Sequence, residues 1–391
     1  MREKLIFLVA GEPSGDNLGA KLMAALKRAA PGGVRFAGVG GERMQAEGLS
    51  SLFALSDLSV MGLAEVVPRL PTIFARLRQT ADAIREMRPD AVVLIDAPSF
   101  GLRVADRVRG HGIPVVQYVA PQLWAWRPGR AKKLAGRIDA LLALLPFEPE
   151  FFAKLGLACT HVGHPVLEDG LLPGDAAEFR RRHAIGASEK IVVVLPGSRA
   201  GLFKRMAPIF AASATLLAAK RAGLVFVLPY VANTAAQSAD FAKTLPGKVV
   251  RVLEATDKRA SFRAGDAALS VSGTSTLELA VAGLPTVVVH RVNALSGYLA
   301  RKMIRVPFVA MPNVIAGKRI VPELLQGDCT PARLAAEIET LLADADAARR
   351  MRADLDGVCD ALGRADLANG PGHLPSERAA AAVLAAIKAR A

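Results

Sequence analysis

Short runs of consecutive apolar residues alternate along the chain with longer stretches in which apolar positions recur at helical spacing. Because the runs are continuously apolar, rather than alternating with polar residues, they are typical of strands covered on both faces. The helical stretches between them predict βαβ crossovers and therefore parallel sheets. The runs predicted to be strands are residues 5–10, 34–39, 91–96, 114–119, 140–145, 191–195, 224–228, 249–253, 267–271 and 286–289.

The pattern pauses near residues 165–175 and then restarts, which places a domain boundary there. A chain of 391 residues is also longer than one typical domain. We therefore predict an α/β protein with two Rossmann-like domains, residues 1–168 and 169–365, whose parallel sheets face a central cleft, and a further helix at 366–391. In such sheets ligands bind beyond the carboxyl ends of the strands.

The composition is that of a well-packed protein, with 52% hydrophobic and 5% aromatic residues. Its three cysteines lie far apart and form no CxxC pair, which fits a reducing, cytoplasmic setting. The net charge of +14 favours either an anionic partner or a charged surface that only confers solubility. The sequence contains no helix-turn-helix, RNP or zinc-finger pattern, so we expect no nucleic-acid partner. It also contains no apolar stretch of the ~18 residues that a membrane-spanning helix needs.

Metal chemistry is not predicted from the sequence. His161 and His164 are spaced like metal ligands, but no third ligand lies nearby, which favours a structural role. Walker A, HExxH and GxSxG motifs are missing, and no DxD acid pair stands at a strand end. We therefore predict no metal site.

Two loops of the first half carry acids at the ends of predicted strands. The predicted strand at 91–96 ends in Asp96, within the stretch "VVLIDAPSFG" (residues 92–101). Asp96 should therefore face the cleft. The loop "AGEPSGDNLGA" follows the first strand, but it lacks GxGxxG spacing, and its acids Glu12 and Asp16 disfavour a phosphate. The loop is therefore either a turn in which Ser14 or Asp16 caps the next helix, or a site for sugar hydroxyls.

The loop "LPGSRAG" follows the predicted strand at 191–195 in the second half. Gly197 permits close approach of a ligand to the backbone, and Ser198 and Arg199 follow it. The planar guanidinium of an arginine suits phosphate oxygens. The alternative is a turn with a solvated arginine.

The segment "SVSGTSTLELAVAGLP" gives the strongest local signal, because small hydroxyl residues and glycine separate a strand from a helix. The N-terminus of that helix offers free N–H groups to a phosphate, and Glu278, one turn further on, offers a carboxylate to ribose hydroxyls. The alternative is an ordinary helix cap. The small hydroxyl residues and glycine of this segment are Ser272, Gly273, Thr274 and Ser275. A separate loop, "AMPNVIAG", adds Asn313 as a further candidate polar contact.

Two further segments combine apolar and basic residues. Residues 60–87 show helical spacing of apolar residues, among them Val66, with arginines interspersed. Such a helix either faces the core or lies on an anionic membrane. The loop "PQLWAWRPGRAKK" holds both tryptophans of the chain, and it is either an anchored surface loop or a site for a phosphorylated, partly apolar ligand.

Together these motifs resemble those of the lipid-A-disaccharide synthase family, which are inverting glycosyltransferases of the GT-B fold. The likeness runs in the family's order over roughly residues 8 to 325 and departs from it at Gln122, where many members have serine. The elements are "AGEPSGDNLGA", "VMGLAEV", "IDAPSF", "WAWRPGR", "GHPV", "LPGSR", "SGTSTLELA" and "MPNVIAG".

The resemblance implies transfer of 2,3-diacylglucosamine from its UDP derivative to 2,3-diacylglucosamine 1-phosphate. The products are the β-1,6-linked lipid A disaccharide 1-phosphate and UDP, and no cofactor or metal is required. It implies a peripheral enzyme on the cytoplasmic face of an anionic inner membrane, and it leaves open whether the enzyme is a homodimer. It also implies that the last helix packs back on the first domain. The alternatives from the residues are another GT-B enzyme acting on soluble UDP-sugars, such as a UDP-N-acetylglucosamine 2-epimerase, or a non-catalytic nucleotide-sugar-binding module.

The site residues follow from the motifs and the implied reaction together. Asp96 is the expected general base, Arg199 stabilises the leaving phosphate, and Glu12 orients a sugar. UDP is expected to contact Gly197, Ser198, Arg199, Ser272, Gly273, Thr274, Ser275, Glu278 and Asn313. The acceptor or the membrane is expected to contact Met61, Val66, Trp124, Trp126 and Arg127.

Overall fold

The chain forms two compact units in a computed structural model that describes residues 2–58, 63–126, 131–170, 174–292, 306–367, 370 and 372–390. The first unit comprises Met1–Pro165 together with Leu362–Ala391, and the second comprises Val166–Ala361. The end of the chain therefore belongs to the same unit as its beginning.

Within the described residues, the first unit forms a seven-stranded parallel sheet in the order β3-β2-β1-β4-β5-β6-β7. Strand β1 lies at its centre and pairs with both β2 and β4. The strands are β1 (Lys4–Ala10), β2 (Val34–Val39), β3 (Ser50–Ser51), β4 (Ala91–Ile95), β5 (Val115–Tyr118), β6 (Ala140–Ala143) and β7 (Cys159–His161).

Over the described part of the second unit, six parallel strands pair in the order β10-β9-β8-β11-β12-β13. Strands β8 and β11 are neighbours, so the loops that follow them leave the same edge of the sheet. The strands are β8 (Lys190–Leu195), β9 (Leu224–Tyr230), β10 (Lys248–Leu253), β11 (Ala267–Val271), β12 (Thr286–His290) and β13 (Glu323–Leu325).

Helices connect the strands in both units, as right-handed βαβ crossovers between parallel strands require. The helices of the first unit that precede the boundary are α1 (Pro13–Ala29), α2 (Glu42–Ala46), α3 (Leu63–Met87), α4 (Pro98–Val108), α5 (Leu123–Trp126), α6 (Ala131–Ala135) and α7 (Glu148–Ala153). Those of the second unit are α8 (Val166–Gly170), α9 (Ala176–Arg182), α10 (Ala200–Lys220), α11 (Ala235–Ala242), α12 (Glu254–Ala264), α13 (Ser275–Val281), α14 (Met311–Ala316), α15 (Pro331–Ala343) and α16 (Ala345–Ala361). The first unit ends with α17 (Arg364–Leu367) and α18 (Pro375–Lys388).

Both faces of the first sheet are covered, which explains the continuously apolar strands. Because side chains alternate along a strand, Ile6 and Leu8 of β1 enter one core, whereas Phe7 and Val9 enter the other. The first core also receives α1 and α18, and the second receives α3 and α4. Helix α18 thus closes a face of the N-terminal sheet.

The α/β architecture with parallel sheets is confirmed, and each of the ten predicted strands is present within one or two residues of its predicted bounds. The prediction missed β3, β7 and β13, which are two or three residues long and lie at sheet edges.

Helix α10 is the one helix among the described residues that could cross a membrane by length and composition. Its side chains Phe203, Met206 and Phe210 are buried within the second unit, where the helix packs against α15. This buried face is that of a core helix in a globular unit.

Candidate active site

Asp96 directly follows β4 and lies at the carboxyl edge of the first sheet with its side chain partly exposed. Its backbone is in the left-handed region, with φ of +53°, and that of Ala97 follows at +39°. This conformation costs a residue with a side chain about 1–3 kcal/mol, and such strain concentrates at functional sites. Tyr118 helps to hold it, because its carbonyl accepts a hydrogen bond from the Asp96 N–H at 2.9 Å.

The loop after β1 packs directly against this turn. A Cβ atom on Gly11 would lie 2.4 Å from the Cβ of Ala97, so only glycine fits at position 11. The hydroxyl of Ser14, in the first turn of α1, donates to Oδ2 of Asp96 at 3.2 Å. The motifs "AGEPSGD" and "IDAPSF", more than 80 residues apart in sequence, therefore form one site.

Asp16 has a structural role that differs from the predicted cap of its own helix. Its buried carboxylate accepts hydrogen bonds from the N–H groups of Gly41, Arg43 and Met44, at 2.8, 3.1 and 3.1 Å. It therefore caps the next helix, α2. Glu12 stands at the N-terminus of α1 with an exposed side chain, and its predicted contact with a sugar stays a prediction.

Trp124 lies in α5, which follows β5, one strand along the sheet from Asp96. Its indole N–H donates to Oε1 of Glu148 at 3.0 Å, and its ring meets that of Phe147 edge-on, with 4.9 Å between centroids. The other carboxylate oxygen of Glu148 accepts from the N–H of Leu145 at 3.1 Å. Burial raises the pKa of Glu148 from 4.5 to about 7, although these hydrogen bonds act in the opposite direction. Sequence inspection singled out Trp124 and missed Glu148.

The raised pKa of Glu148 predicts a specific pH dependence of stability. Between pH 4.5 and about 7 the folded protein retains a proton that the unfolded chain loses, so the free energy of unfolding falls as the pH rises through this range. A shift of this size is worth about 3 kcal/mol. Denaturant unfolding of the wild type and of Glu148→Gln should therefore show the wild type losing about this much, relative to the variant, between pH 4.5 and 8.

Glu150→Gln is the matched control, since Glu150 lies on the same helix with an exposed side chain paired to Lys154. Its stability curve should follow that of the wild type over the same pH range. Parallel curves for the wild type and Glu148→Gln would contradict the raised pKa.

In the second unit, the loop after β8 presents Ser198 and Arg199 to solvent. Gly197 has φ of +116°, and a Cβ there would lie 3.0 Å from Leu202, so the turn favours glycine. Arg199 is the N-cap residue of α10, and it forms no ion pair with any acid in the described part of the chain. Its guanidinium is thus available to a ligand.

The loop after β11, the neighbouring strand, leads into α13. Across the residues that the structure describes, the N–H groups of Gly273, Thr274 and Ser275 donate to no carbonyl. Successive free N–H groups form a concavity that suits an anion. The hydroxyl of Ser272 is directed elsewhere, since it donates to the carbonyl of Val309 at 3.0 Å.

Glu278 is held by a lysine that the sequence did not single out. Lys258 of α12 contacts its carboxylate at 2.8 Å and that of Glu254 at 3.2 Å. Burial lowers the pKa of Lys258, but attraction to Glu278 and Glu254 outweighs this and leaves the pKa raised. The ammonium therefore stays charged and fixes the Glu278 carboxylate, which retains lone pairs for hydroxyl groups.

Asn313 is a correction to the predicted UDP contacts. Its side chain is fully buried, and its Nδ2 donates to the carbonyl of Val321 and to Glu323, while its Oδ1 accepts from the N–H groups of Ile320 and Val321. Four hydrogen bonds are the full capacity of an amide. The side chain therefore fixes the segment between α14 and β13 and has no capacity left for a nucleotide.

Helix α3 has a core-facing stripe and an exposed aromatic residue. Leu77, Ala81 and Ile84 are fully buried, whereas Phe74 is 50% exposed. A shallow groove of about 770 Å³ runs along its outer face from Phe74 to Glu86.

Several residues predicted to contact the acceptor or the membrane cannot be placed. Met61 and Arg127 lie outside the described residues, as do the side chains of Val66 and Trp126. The roles assigned to them stay predictions.

Comparison with known proteins identifies the relatives of this chain. The family described as Lipid-A-disaccharide synthetase matches residues 6–366. The Lipid-A-disaccharide synthase of Rhodospirillum centenum is 48% identical over 395 residues, which cover 100% of this chain and 96% of that protein.

Solved structures show the same fold at low sequence identity. A UDP-GlcNAc 2-epimerase from Neisseria meningitidis, solved with UDP-GlcNAc bound, has a TM-score of 0.63 at 12% identity and covers 93% of this chain and 97% of its own. The glycotransferase of kitacinnamycin has a TM-score of 0.63 at 18% identity, with 99% of this chain and 100% of its own covered. The fold is thus of the GT-B type, and the family match over nearly the whole length shows that this chain belongs to the lipid-A-disaccharide synthase family of glycosyltransferases.

Proposed function

We propose that the protein transfers 2,3-diacylglucosamine from its UDP derivative to 2,3-diacylglucosamine 1-phosphate, and so forms the β-1,6-linked disaccharide 1-phosphate and UDP. Membership of the family supports the reaction. The observation that carries it is the carboxylate of Asp96, which stands partly exposed on a strained turn at the sheet edge and is oriented by Ser14.

Asp96 is the general base of this reaction. The 6-hydroxyl of the acceptor attacks the anomeric carbon of the donor sugar, and Asp96 takes up its proton as the new C–O bond forms. The hydrogen bond from Ser14 engages Oδ2 and leaves Oδ1 for the substrate hydroxyl. Because UDP departs from the opposite face of the sugar, the anomeric centre is inverted.

Arg199 and the N–H groups of Gly273, Thr274 and Ser275 stabilise the departing UDP. As the bond between the sugar and the β-phosphate breaks, its electron pair goes to the phosphate oxygen, where negative charge accumulates. A guanidinium and preorganised N–H donors lower the energy of that charge. Gly197 and Ser198 let the phosphate approach the backbone of the same loop.

Glu278 accepts hydrogen bonds from the ribose hydroxyls of UDP, and Lys258 orients it through the 2.8 Å ion pair. Glu12, exposed at the start of α1, orients one of the two sugars. Both roles place hydrogen-bond acceptors opposite hydroxyl groups, which are the polar groups that sugars offer.

The direct test is incubation of the purified protein with UDP-2,3-diacylglucosamine and 2,3-diacylglucosamine 1-phosphate, with the products analysed by mass spectrometry. We expect the disaccharide 1-phosphate and UDP in equal amounts. A second incubation supplies UDP-N-acetylglucosamine instead. If the protein epimerised this nucleotide sugar, it would be assigned to the epimerases that share its fold. Binding of both nucleotides without any product would indicate a non-catalytic module.

Because both substrates carry acyl chains, we further propose that the protein works at the cytoplasmic surface of an anionic inner membrane. Exposed Phe74 and the arginines of α3 are the contacts with that surface. Arg78 is largely exposed, whereas Arg76 is engaged by Asp57 and by the ring of Phe53. Arg78 is 3.9 Å from the exposed carboxylate of Asp82, a solvent-exposed pair that leaves the guanidinium accessible. An apolar side chain beside an exposed cation is the combination that binds anionic lipid.

The variant Phe74→Ala should bind vesicles containing anionic phospholipid about tenfold less tightly, because it loses one apolar side chain buried at the interface. Leu216→Ala is the matched control: Leu216 is also exposed, at 43%, but lies on α10 of the second unit. Sedimentation with vesicles measures both. Equal binding of Phe74→Ala and the wild type would remove α3 from the docking surface.

A further inference from the structure

Glu148, which is buried, and Trp124, which is half-buried, form a hydrogen-bonded pair that the mechanism above does not use. Trp124 lies in α5, at the end of the loop after β5, and Glu148 begins α7 after β6, the neighbouring strand. The carboxylate joins the indole N–H of Trp124 to the backbone N–H of Leu145. With only 2% of Glu148 exposed, no bulk water can substitute for either partner.

The same loop is tied to Asp96 at its other end. The side chain of Gln117, fully buried in β5, donates from Nε2 to the carbonyls of Asp96 and Val119, each at 3.3 Å. Val119 has φ of +76°, which is a costly conformation for a β-branched residue. The segment from Val119 to Trp124 therefore begins on a strained residue next to Asp96 and is held by contacts at both of its ends.

A buried carboxyl group is an expensive way to close a turn, since an amide or a hydroxyl would cap the Leu145 N–H at a smaller desolvation cost. The second acceptor atom of Glu148 is used by Trp124, which lies at the edge of the sheet where ligands of such folds bind. The pair thus connects the buried turn after β6 to a half-buried aromatic ring at that edge.

We propose that Glu148 is a positioning residue for the acceptor: it fixes the indole of Trp124, and through it the loop after β5, next to the general base Asp96. This rests on the proposed function, which makes this edge of the sheet the acceptor side. Glu148 itself touches no substrate.

The first experiment follows acceptor binding and needs no turnover. In a Trp126→Phe background Trp124 is the only tryptophan, because the chain has two. Titration with 2,3-diacylglucosamine 1-phosphate in detergent micelles should change its emission. Glu148→Gln should raise the apparent Kd about tenfold, because the amide has one acceptor oxygen for two N–H groups and a buried hydrogen bond is lost. An unchanged Kd, or no change of emission, would overturn the proposal even if the transfer reaction is confirmed.

The second experiment is a double-mutant cycle on initial rates. Glu148→Gln and Trp124→Phe should each raise the KM for the acceptor about tenfold and leave the KM for the UDP-sugar within about twofold. Because the two residues act as one unit, the double variant should be no worse than either single variant. Additive effects, or a parallel rise of both KM values, would overturn the proposal.

Controls separate positioning from general destabilisation. Glu150→Gln, on the exposed face of the same helix, should leave both KM values unchanged. Trp124→Phe keeps the buried carboxyl group in place, so it tests the proposal even if Glu148→Gln folds poorly. If the emission titration behaves as expected while the wild type forms no disaccharide, the pair positions a ligand and the proposed reaction fails.

The titratable groups next to Glu148 do not obscure its role. Cys159 and His161 lie on β7, against which α7 packs. Burial, followed by the charge of Glu148, raises the pKa of Cys159 to about 12, and burial lowers the pKa of His161. In the Trp126→Phe protein, the fluorescence emission of Trp124 should therefore change with pH around pH 7, and this pH dependence should be lost in Glu148→Gln. If the pH dependence persisted in that variant, the assignment to Glu148 would be overturned.

Discussion

We expect Asp96→Asn to lower kcat by about 10²–10⁴-fold while UDP still binds, because an amide cannot accept the proton of the attacking hydroxyl. Asparagine has the same shape and can still accept the hydrogen bond from Ser14, so the turn after β4 should persist. Initial rates with both lipid substrates measure the loss. Calorimetric titration with UDP measures the retained binding, since the proposed UDP contacts lie in the second unit.

Asp90→Asn is the matched control for this variant. Asp90 precedes the same strand at its opposite, amino edge, where its carboxylate accepts the N–H of Leu5 at 2.8 Å. The substitution should reduce stability and leave kcat unchanged. If Asp96→Asn kept more than about a tenth of the wild-type kcat, Asp96 would not be the base.

The strands of both sheets could be predicted from the sequence because burial on both faces produces unbroken apolar runs. The same reasoning could not find β3, β7 and β13. Each pairs on one side only and contains polar residues such as Ser50, Ser51 and Glu323, so burial imposes no apolar pattern on it. Their pairing is decided by the neighbouring strand and not by their own residues.

The candidate base could be found because a carboxylate after an apolar strand is visible in the sequence. Its surroundings could not, since Ser14 and Gly11 reach Asp96 and Ala97 only when β1 and β4 pair as neighbours. The strained backbone at Asp96 is equally invisible in the sequence, because nothing in the residue type requires a positive φ.

Side-chain partners explain the other differences from the sequence-based site. From the sequence, Asn313 could contact a ligand or form hydrogen bonds to the protein backbone. Only the structure shows that its side chain binds the backbone of Ile320 and Val321, just before β13. Lys258 lies in a helix with ordinary charged spacing, so its contact with Glu278 across two helices leaves no local pattern. Glu148 was missed for the same reason, since its partner Trp124 lies 24 residues away.

Arg199→Ala should lower kcat by about 10²–10³-fold, because the guanidinium stabilises charge that develops on the β-phosphate only as the bond to the sugar breaks. The KM for the UDP-sugar should change much less than kcat. A rise of KM with an unchanged kcat would instead show that Arg199 binds the ground state and the transition state equally.

Lys220→Ala provides the matched control, because it removes the same charge from the same helix. Lys220 is the last residue of α10, and a helix of 21 residues places it roughly 30 Å from Arg199. A loss of net charge alone would affect both variants alike through the field of the protein, whereas a direct contact with phosphate affects only Arg199→Ala. If the two variants had the same kcat, the N–H groups of Gly273, Thr274 and Ser275 would have to stabilise the leaving group without an arginine.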